Sequence, residues 1–508
     1  MRMKKIIAGG SLFVLIFCVM TAWGLPAVAA DAETTGGVAA DVVSAGRIAT
    51  EAEDGSAVTE EAPDPAENLS LYATSAALID GETGRLLYGK NADQIMAMAS
   101  TTKIMTCIVL LENVSLDDTL TVSSYAAGMP KVKLYLKQGE QYTVRDLLFS
   151  LMLESHNDSA VALAEYLGKQ YLPEELRNKP TEEFSQEESK QAVAAFATMM
   201  NEKSSELGCE NTWFITPNGL DATQQLTLQD GTVIEKEHST TARELARIMA
   251  YCILESPKRD VFLEITRAAN YSFSANGRSF QCTNHNAFLN MMDGAVSGKT
   301  GFTNKAGYCY VGALERDGRT FIVALLACGW PNNKTWKWSD TKELMQYGVD
   351  NFFYRSFSEE GVVFDESVLE AIPVRNGQTR LFGDTAYVDV KVAGRDGASA
   401  GDGVKHGNVS ENGDVPDSGD AVDGGVKKTP GEQKNRLLLR SDEQIEVVYS
   451  VKNILDAPVE AGSEVGLIKY IVDGTVYYEE KIVTAQEVKK ITPKWCAEEI
   501  LSRFLISK

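Results

Sequence analysis

The sequence predicts an α+β fold, with helices packed on an antiparallel sheet and a small all-β domain after it. Three observations carry that expectation. The apolar runs GYCYVGALE and RTFIVALLACG flank an Asp317-Gly318 turn and read as an antiparallel hairpin. Apolar-periodic segments, among them TTKIMTCIVLLENV, 184–208 and 241–254, read as helices that do not alternate with strands in βα units. Beyond Ser356 the pattern changes to short strand-like stretches, TAYVDVKV, EQIEVVYSV, EVGLIKYIVDG and TVYYEEKIV.

Taken in chain order, MRMKK is a cationic start, followed by an apolar run and then the small residues Ala27-Val28-Ala29. That is the pattern of a cleaved signal peptide over 1–30, favoured over an uncleaved membrane anchor by the small residues after Pro26, so an exported, extracytoplasmic protein is expected. Phe17 stands before Cys18 where a lipoprotein signal carries a small residue, which argues against lipidation. Residues 31–68 are acidic and almost free of large apolar side chains, the composition of a disordered linker. A first globular domain spans 69–356. It opens with AALID-GETG-RLLYGK, a strand, a turn and a second strand, and closes with a helix near 339–354. The β domain covers 357–487, interrupted at 393–434 by a Gly/Asp/Ser/Lys tract that reads as a disordered insertion. Residues 488–508 place Ala497, Ile500, Leu501, Phe504 and Leu505 on one face of a helix, with Trp495 at its start. It is too short to span a bilayer but suits the membrane interface; the pattern alone equally fits a helix packed on its own β domain.

Charge and cysteine usage exclude several classes. A net charge of −22 argues against nucleic acid as a partner, because phosphates would be repelled. Of the 8 cysteines, Cys18 falls in the signal. Most of the others sit in apolar company (TCIVLL, AYCILE, GYCYVG, LLACGW), as small buried hydrophobes do. Neither CxxC spacing nor a His/Cys cluster suggests a metal, and only 4 histidines occur, so no metal is expected.

Ser100-Thr-Thr-Lys103 lies at the start of an apolar helix. Side chains at i and i+3 share a face, and a serine hydroxyl becomes nucleophilic when a neighbour removes its proton. Lys103 can do so if burial or a nearby cation keeps it neutral. S-x-x-K is a cheap pattern, with about two matches expected by chance in a chain this long. Ser339-Asp-Thr-Lys342 is a second copy and reads as an ordinary helix start. Ser155-His156-Asn157 offers a hydroxyl and an amide beside a helix start, and S-x-N recurs at Ser274 and Ser410. Lys299-Thr300-Gly301 occurs once and leads into an apolar strand; a cation, a hydroxyl and a glycine make a carboxylate-binding edge.

In combination, S-x-x-K, S-x-N and K-T-G in that order resemble the serine penicillin-recognising enzymes. More narrowly, ASTTKIMT, the segment around Ser155–Asp158, PNGLD at 217–221 and SGKTGFTNKAGYC resemble the D-alanyl-D-alanine carboxypeptidases, the low-molecular-mass serine penicillin-binding proteins of peptidase family S11. The likeness covers roughly 69–355 and extends more loosely to the C-terminal β domain through DAPVEAGSEVGLIKYIVDG. It implies a penicillin-binding/transpeptidase-like (β-lactamase-like) catalytic domain, helices on a five-stranded antiparallel sheet with an all-helical lobe, and then a small β-sandwich-like domain.

The resemblance also implies roles. Ser100 would attack the carbonyl between the two D-alanines of a peptidoglycan stem peptide, with Lys103 as general base. Ser155 would relay a proton to the leaving D-alanine, and Asn157 would orient Lys103 and the substrate amide. Lys299 and Thr300 would hold the terminal carboxylate, beside Gly301. The backbone N–H groups of Ser100 and Phe302 would form the oxyanion hole. β-Lactams would be covalent inhibitors, and the C-terminal helix would hold the enzyme on the outer face of the cytoplasmic membrane. Two positions depart from the family pattern: His285 and Lys337 stand where arginines are often found, and lysine lacks the bidentate fork. Residues 169–190 and 222–237 read as extra surface loops. A β-lactamase would need a further base in an E-x-x-L-N context, and Glu174-Glu-Leu-Arg-Asn178 has the wrong spacing. A D,D-endopeptidase would use the same residues. A non-catalytic β-lactam- or wall-binding protein is disfavoured by three intact motifs.

Overall fold

The computed structural model describes residues 43–48, 65–227, 230–358, 362–381, 383–395 and 436–505. The expected signal peptide over 1–30 and nearly all of the expected insertion at 393–434 lie outside these residues.

The first domain is built on strands β1 (Ser75–Asp80) and β2 (Leu86–Lys90), joined after a long helical excursion by β3 (Ala295–Thr303), β4 (Gly307–Arg316) and β5 (Arg319–Leu326). They form one five-stranded antiparallel sheet in the order β3-β4-β5-β1-β2. The chain must return from the far edge to the centre, because β5 pairs with β1 (Ile322 opposite Ile79). This leaves β3, which carries Lys299-Thr300-Gly301, as a free edge beside the helical lobe.

Both faces of the sheet are covered, so its central strands are apolar without alternation. Ile79, Ile322, Ala324 and Leu326 face a core shared with the helical lobe. Their neighbours Leu78, Phe321, Val323 and Leu325 face Leu344 and Met345 of α5 (Trp336–Asn351). The lobe contains α1 (Lys103–Asn113), α2 (Asn157–Gly168) and α3 (Gln186–Glu206), and α4 (Ala242–Ala250) lies against the sheet. Helix α3 begins at a capping box, with the Ser185 hydroxyl accepting from Glu188 N–H and the Glu188 carboxylate accepting from Ser185 N–H. Nine consecutive residues of α1, Lys103 to Leu111, are buried, so the helix runs through the core rather than over it.

The second domain is a β structure with its own core, including Val447, Ile468, Tyr470 and Ile482. Its main sheet contains β6 (Glu446–Lys452), β7 (Glu464–Val472) and β8 (Thr475–Thr484), with a smaller three-stranded sheet beside it. The two domains share a seam. Strand Phe353–Ser356 pairs with Arg436–Leu439, and Leu438 lies in the core of the first domain. Arg85 bridges the seam to the Leu438 carbonyl and the Glu443 carboxylate.

Four details depart from the sequence expectations. Part of the supposed linker, Val43–Ile48, forms a strand against β6, because backbone pairing at a free sheet edge requires few large side chains. Residues 222–237 are not an irregular loop: Thr223–Thr227 and Val233–Glu237 pair as a hairpin. The segment 169–190 holds three short helical turns, at Lys169–Tyr171, Glu174–Asn178 and Thr181–Glu183. Ser339 lies inside the first turn of α5 rather than at its cap, which is Thr335. The C-terminal helix α6 runs over Pro493–Leu505 and leaves Ile500 and Leu501 exposed. Among the described residues no helix is long and apolar enough to cross a membrane.

Candidate active site

Ser100 sits in a 3-10 turn, Ala99–Thr102, that runs directly into α1. Ala99 has a left-handed backbone, φ +48°, so the chain bends sharply just before the serine. One turn later, Lys103 is fully buried with its Nζ 2.8 Å from Ser100 Oγ. The same nitrogen lies 3.0 Å from Asn157 Oδ1 and 2.5 Å from the carbonyl of Asn218.

The chemistry of these partners is unequal. Asn218 C=O accepts only, and the Asn157 amide turns its oxygen to Lys103 while its Nδ2 donates to Pro130 O at 3.3 Å. A neutral amine has two N–H groups and one lone pair. In the structure Nζ donates to Ser100 Oγ, whose own proton is directed at the Asn218 carbonyl 3.3 Å away; a neutral amine that keeps its two N–H groups on the carbonyls has its lone pair free to accept from the Ser100 hydroxyl. Burial pushes Lys103 well below the ordinary lysine range, the charge on Lys299 adds to this, and Asp158 partly opposes it.

The second shoulder of the site comes from the turn before α2. Residues Ser150–Glu154 widen into a π-helical turn, and Ser155 follows in a left-handed conformation, φ +64°. Its hydroxyl accepts from Lys299 Nζ at 3.0 Å, and Lys299 also donates to the carbonyl of Thr300 at 2.8 Å. Burial pulls Lys299 down to about 7. Asp158 accepts from Leu134 N–H at 2.9 Å and Leu136 N–H at 3.1 Å, fixing the loop that walls the cleft beside Asn157.

The third wall is the free edge of β3. Gly301 fits closely here, since a Cβ at this position would come within 2.9 Å of Ser100 N. Only glycine allows the strand to approach the serine so nearly. Phe302 follows, partly exposed, its ring 4.6 Å from that of Tyr308.

The structure therefore brings Ser100, Lys103 and Asn157 into one hydrogen-bonded group, sets Lys299 against Ser155, and lays Gly301 along Ser100. His285 pairs with Glu154 (Nε2 to Oε2, 2.7 Å) at the lip of the cleft. Lys337 turns inward, donating to the Lys334 carbonyl and lying 4.7 Å from the rings of Tyr308 and Trp338. Sequence reasoning gave no role to Asn218, whose contribution is a main-chain carbonyl that every residue type possesses. The flanking Gly219 was the available signal: its φ is +82° and a Cβ there would lie 2.0 Å from Ala99 O.

A family model described as D-alanyl-D-alanine carboxypeptidase matches residues 58–171 and 189–328. A second, described as the C-terminal domain of penicillin-binding protein 5, matches 438–490. The D-alanyl-D-alanine carboxypeptidase DacF of Bacillus subtilis is 24% identical over 423 residues, covering 82% of this chain and 86% of the relative. DacA of Escherichia coli K12, also a D-alanyl-D-alanine carboxypeptidase, is 30% identical over 58% of this chain and 67% of its own length. A D-alanyl-D-alanine endopeptidase of Pseudomonas aeruginosa is 30% identical over 47% of this chain and 66% of the relative.

Proposed function

This chain belongs to the D-alanyl-D-alanine carboxypeptidase family and is a serine-type enzyme of cell-wall metabolism, and we propose that it removes the terminal D-alanine of peptidoglycan stem peptides through an acyl-enzyme on Ser100. The carrying observation is the direct contact of the buried Lys103 Nζ with Ser100 Oγ at 2.8 Å, with burial disfavouring the charged amine, so that the neutral form can take the Ser100 proton.

The steps follow from that geometry. The lone pair of Lys103 takes the Ser100 proton as Oγ attacks the carbonyl between the two D-alanines. Charge building on that oxygen meets the N–H groups of Ser100 and Phe302, a reading supported by the tight fit of Gly301 against Ser100 N. Ser155, within reach of Lys299, passes a proton to the departing D-alanine nitrogen. Lys299 and Thr300 bind the substrate carboxylate at the β3 edge. Lys103 resupplies Ser155 with the proton taken from Ser100, then takes a proton from the water that attacks the ester and returns it to Ser100 Oγ, so that serine and lysine end as they began. No step requires a cofactor. β-Lactams carry a carboxylate and a strained amide in similar positions, so they acylate Ser100.

Export, with the catalytic domain held over the outer face of the cytoplasmic membrane by α6, completes the proposal. It is supported by the exposed Ile500 and Leu501. The experiment is mass spectrometry of muropeptides treated with the protein. Loss of one terminal D-alanine supports the carboxypeptidase, and cleavage of cross-linked dimers would point to an endopeptidase.

A further inference from the structure

We propose that His238 is a positioning residue for the Ser100–Lys103 pair, clamping the turn that presents Ser100 to the 215–218 loop whose carbonyl binds Lys103. The inference rests on the assignment of Ser100 as nucleophile and Lys103 as its base.

His238 is buried, far in sequence from both segments, and both of its ring nitrogens are used. The N–H of Ile215 donates to Nδ1 at 2.9 Å, so Nδ1 carries the lone pair and the ring proton sits on Nε2. Nε2 faces Thr102 Oγ1 at 2.8 Å and donates to it. The Thr102 hydroxyl, its lone pair engaged, donates its own proton to Ala99 O, also at 2.8 Å. Ala99 is the left-handed residue immediately before Ser100. One imidazole thus ties the bend before the nucleophile to Ile215, three residues from the Asn218 carbonyl. A second tie runs parallel to it, from Thr106 Oγ1 to Pro217 O at 2.6 Å.

The clamp works only as a neutral ring, since a proton on Nδ1 would oppose the Ile215 N–H. Burial, and then the nearby Lys103, push His238 down to about 3, so it is neutral at neutral pH. Phe214 shields one side, with ring centroids 6.0 Å apart. Among the described residues, the charged or titratable groups acting on Lys103 itself are Lys299 and Asp158, and its charge in turn acts on His156 and His238.

The expected consequence of losing the clamp is specific. If the 215–218 loop drifts, water reaches Lys103, its desolvation falls and its pKa rises. Acylation then needs a higher pH, while the carboxylate subsite at Lys299 and Thr300 is untouched.

The test is the second-order rate of acylation by benzylpenicillin across pH. His238→Asn keeps an acceptor near Nδ1 but has no donor for Thr102. It should acylate about 100-fold more slowly at neutral pH, the scale of a small misplacement of reacting groups, with its acid limb moved to higher pH. His238→Gln restores a donor at the reach of Nε2 and should recover much of the rate. Thr102→Val should reproduce the loss, and combining it with His238→Asn should add little, because both break one chain of bonds. Strictly additive losses, or a lower rate with an unmoved acid limb, overturn the proposal. If His238→Asn does not fold, Thr102→Val and His238→Gln decide it by the same two criteria. Ser100→Ala in the same assay separates the premises: covalent labelling that survives there overturns the nucleophile assignment rather than the clamp.

Discussion

Lys103 Nζ stands 2.8 Å from Ser100 Oγ and has its other two contacts with carbonyl oxygens, one from the Asn157 side chain and one from the Asn218 main chain. A charged ammonium would donate to all three. A neutral amine can donate to the two carbonyls and accept from the serine once its hydroxyl turns from the Asn218 carbonyl, 3.3 Å away, to Nζ, which is the state a general base requires. What disfavours its charged form is burial first and the charge of Lys299 second.

The pH profile should therefore be bell-shaped, with each limb belonging to one lysine. On the proposed mechanism Lys103 acts when neutral, so kcat/KM falls as pH drops through its lowered pKa. Lys299 would bind the carboxylate when charged and lies near 7 in the free enzyme, so kcat/KM should also fall as pH rises through that value. Lys299→Met should raise KM, erase the alkaline limb and shift the acid limb upward, since removing the like charge lets Lys103 protonate more easily. A profile with both limbs unmoved would show that these lysines do not set it.

Gly219→Ala should damage the site without touching a catalytic side chain. A Cβ there would meet Ala99 O at 2.0 Å, and φ is +82°. The left-handed backbone alone costs about 1–2 kcal/mol, and the clash must displace either the Ser100 turn or the Asn218 carbonyl. Thermal unfolding and penicillin acylation should both suffer. An unaffected acylation rate would mean that the carbonyl of Asn218 is dispensable.

Glu165 supplies a stability prediction away from the chemistry. It is fully buried in α2, accepts from Ser123 Oγ at 2.7 and 2.9 Å, and is raised by burial from 4.5 to about 7. A carboxyl raised on folding contributes stability that is complete below its unfolded value and is lost as pH rises through the folded one. The difference amounts to about 3 kcal/mol across this window. Glu165→Gln should flatten the decline between pH 4.5 and 7, leaving the smaller slope from Asp80, which burial raises to about 6. Chemical denaturation at several pH values measures it, and an unchanged slope would locate the effect elsewhere.

Much of the site was legible because its side chains come from contiguous motifs with fixed spacing. Ser100 and Lys103 share a helical face, and Lys299-Thr300-Gly301 marks a strand edge. The second S-x-x-K could be set aside only by its position relative to the other motifs, and the structure leaves Ser339 exposed on α5. What escaped the sequence acts through the main chain or at long range. Asn218 contributes a carbonyl. His238 reaches Thr102 across 136 positions in sequence, with no local pattern to announce it. The hairpin at 223–237 is mostly exposed on both strands, so it lacks the apolar alternation that would have marked it. The strand at Val43–Ile48 was hidden for a related reason, because edge pairing is written in backbone hydrogen bonds rather than in side-chain pattern.

The most direct measurement is peptide mapping of the covalent adduct formed with benzylpenicillin, alongside D-alanine release from a stem pentapeptide. The expected result is one adduct, on Ser100, with labelling and D-alanine release both lost in Ser100→Ala and both kept in Ser339→Ala. An adduct on another residue, or D-alanine release that persists in Ser100→Ala, would contradict the assignment of Ser100 as the nucleophile.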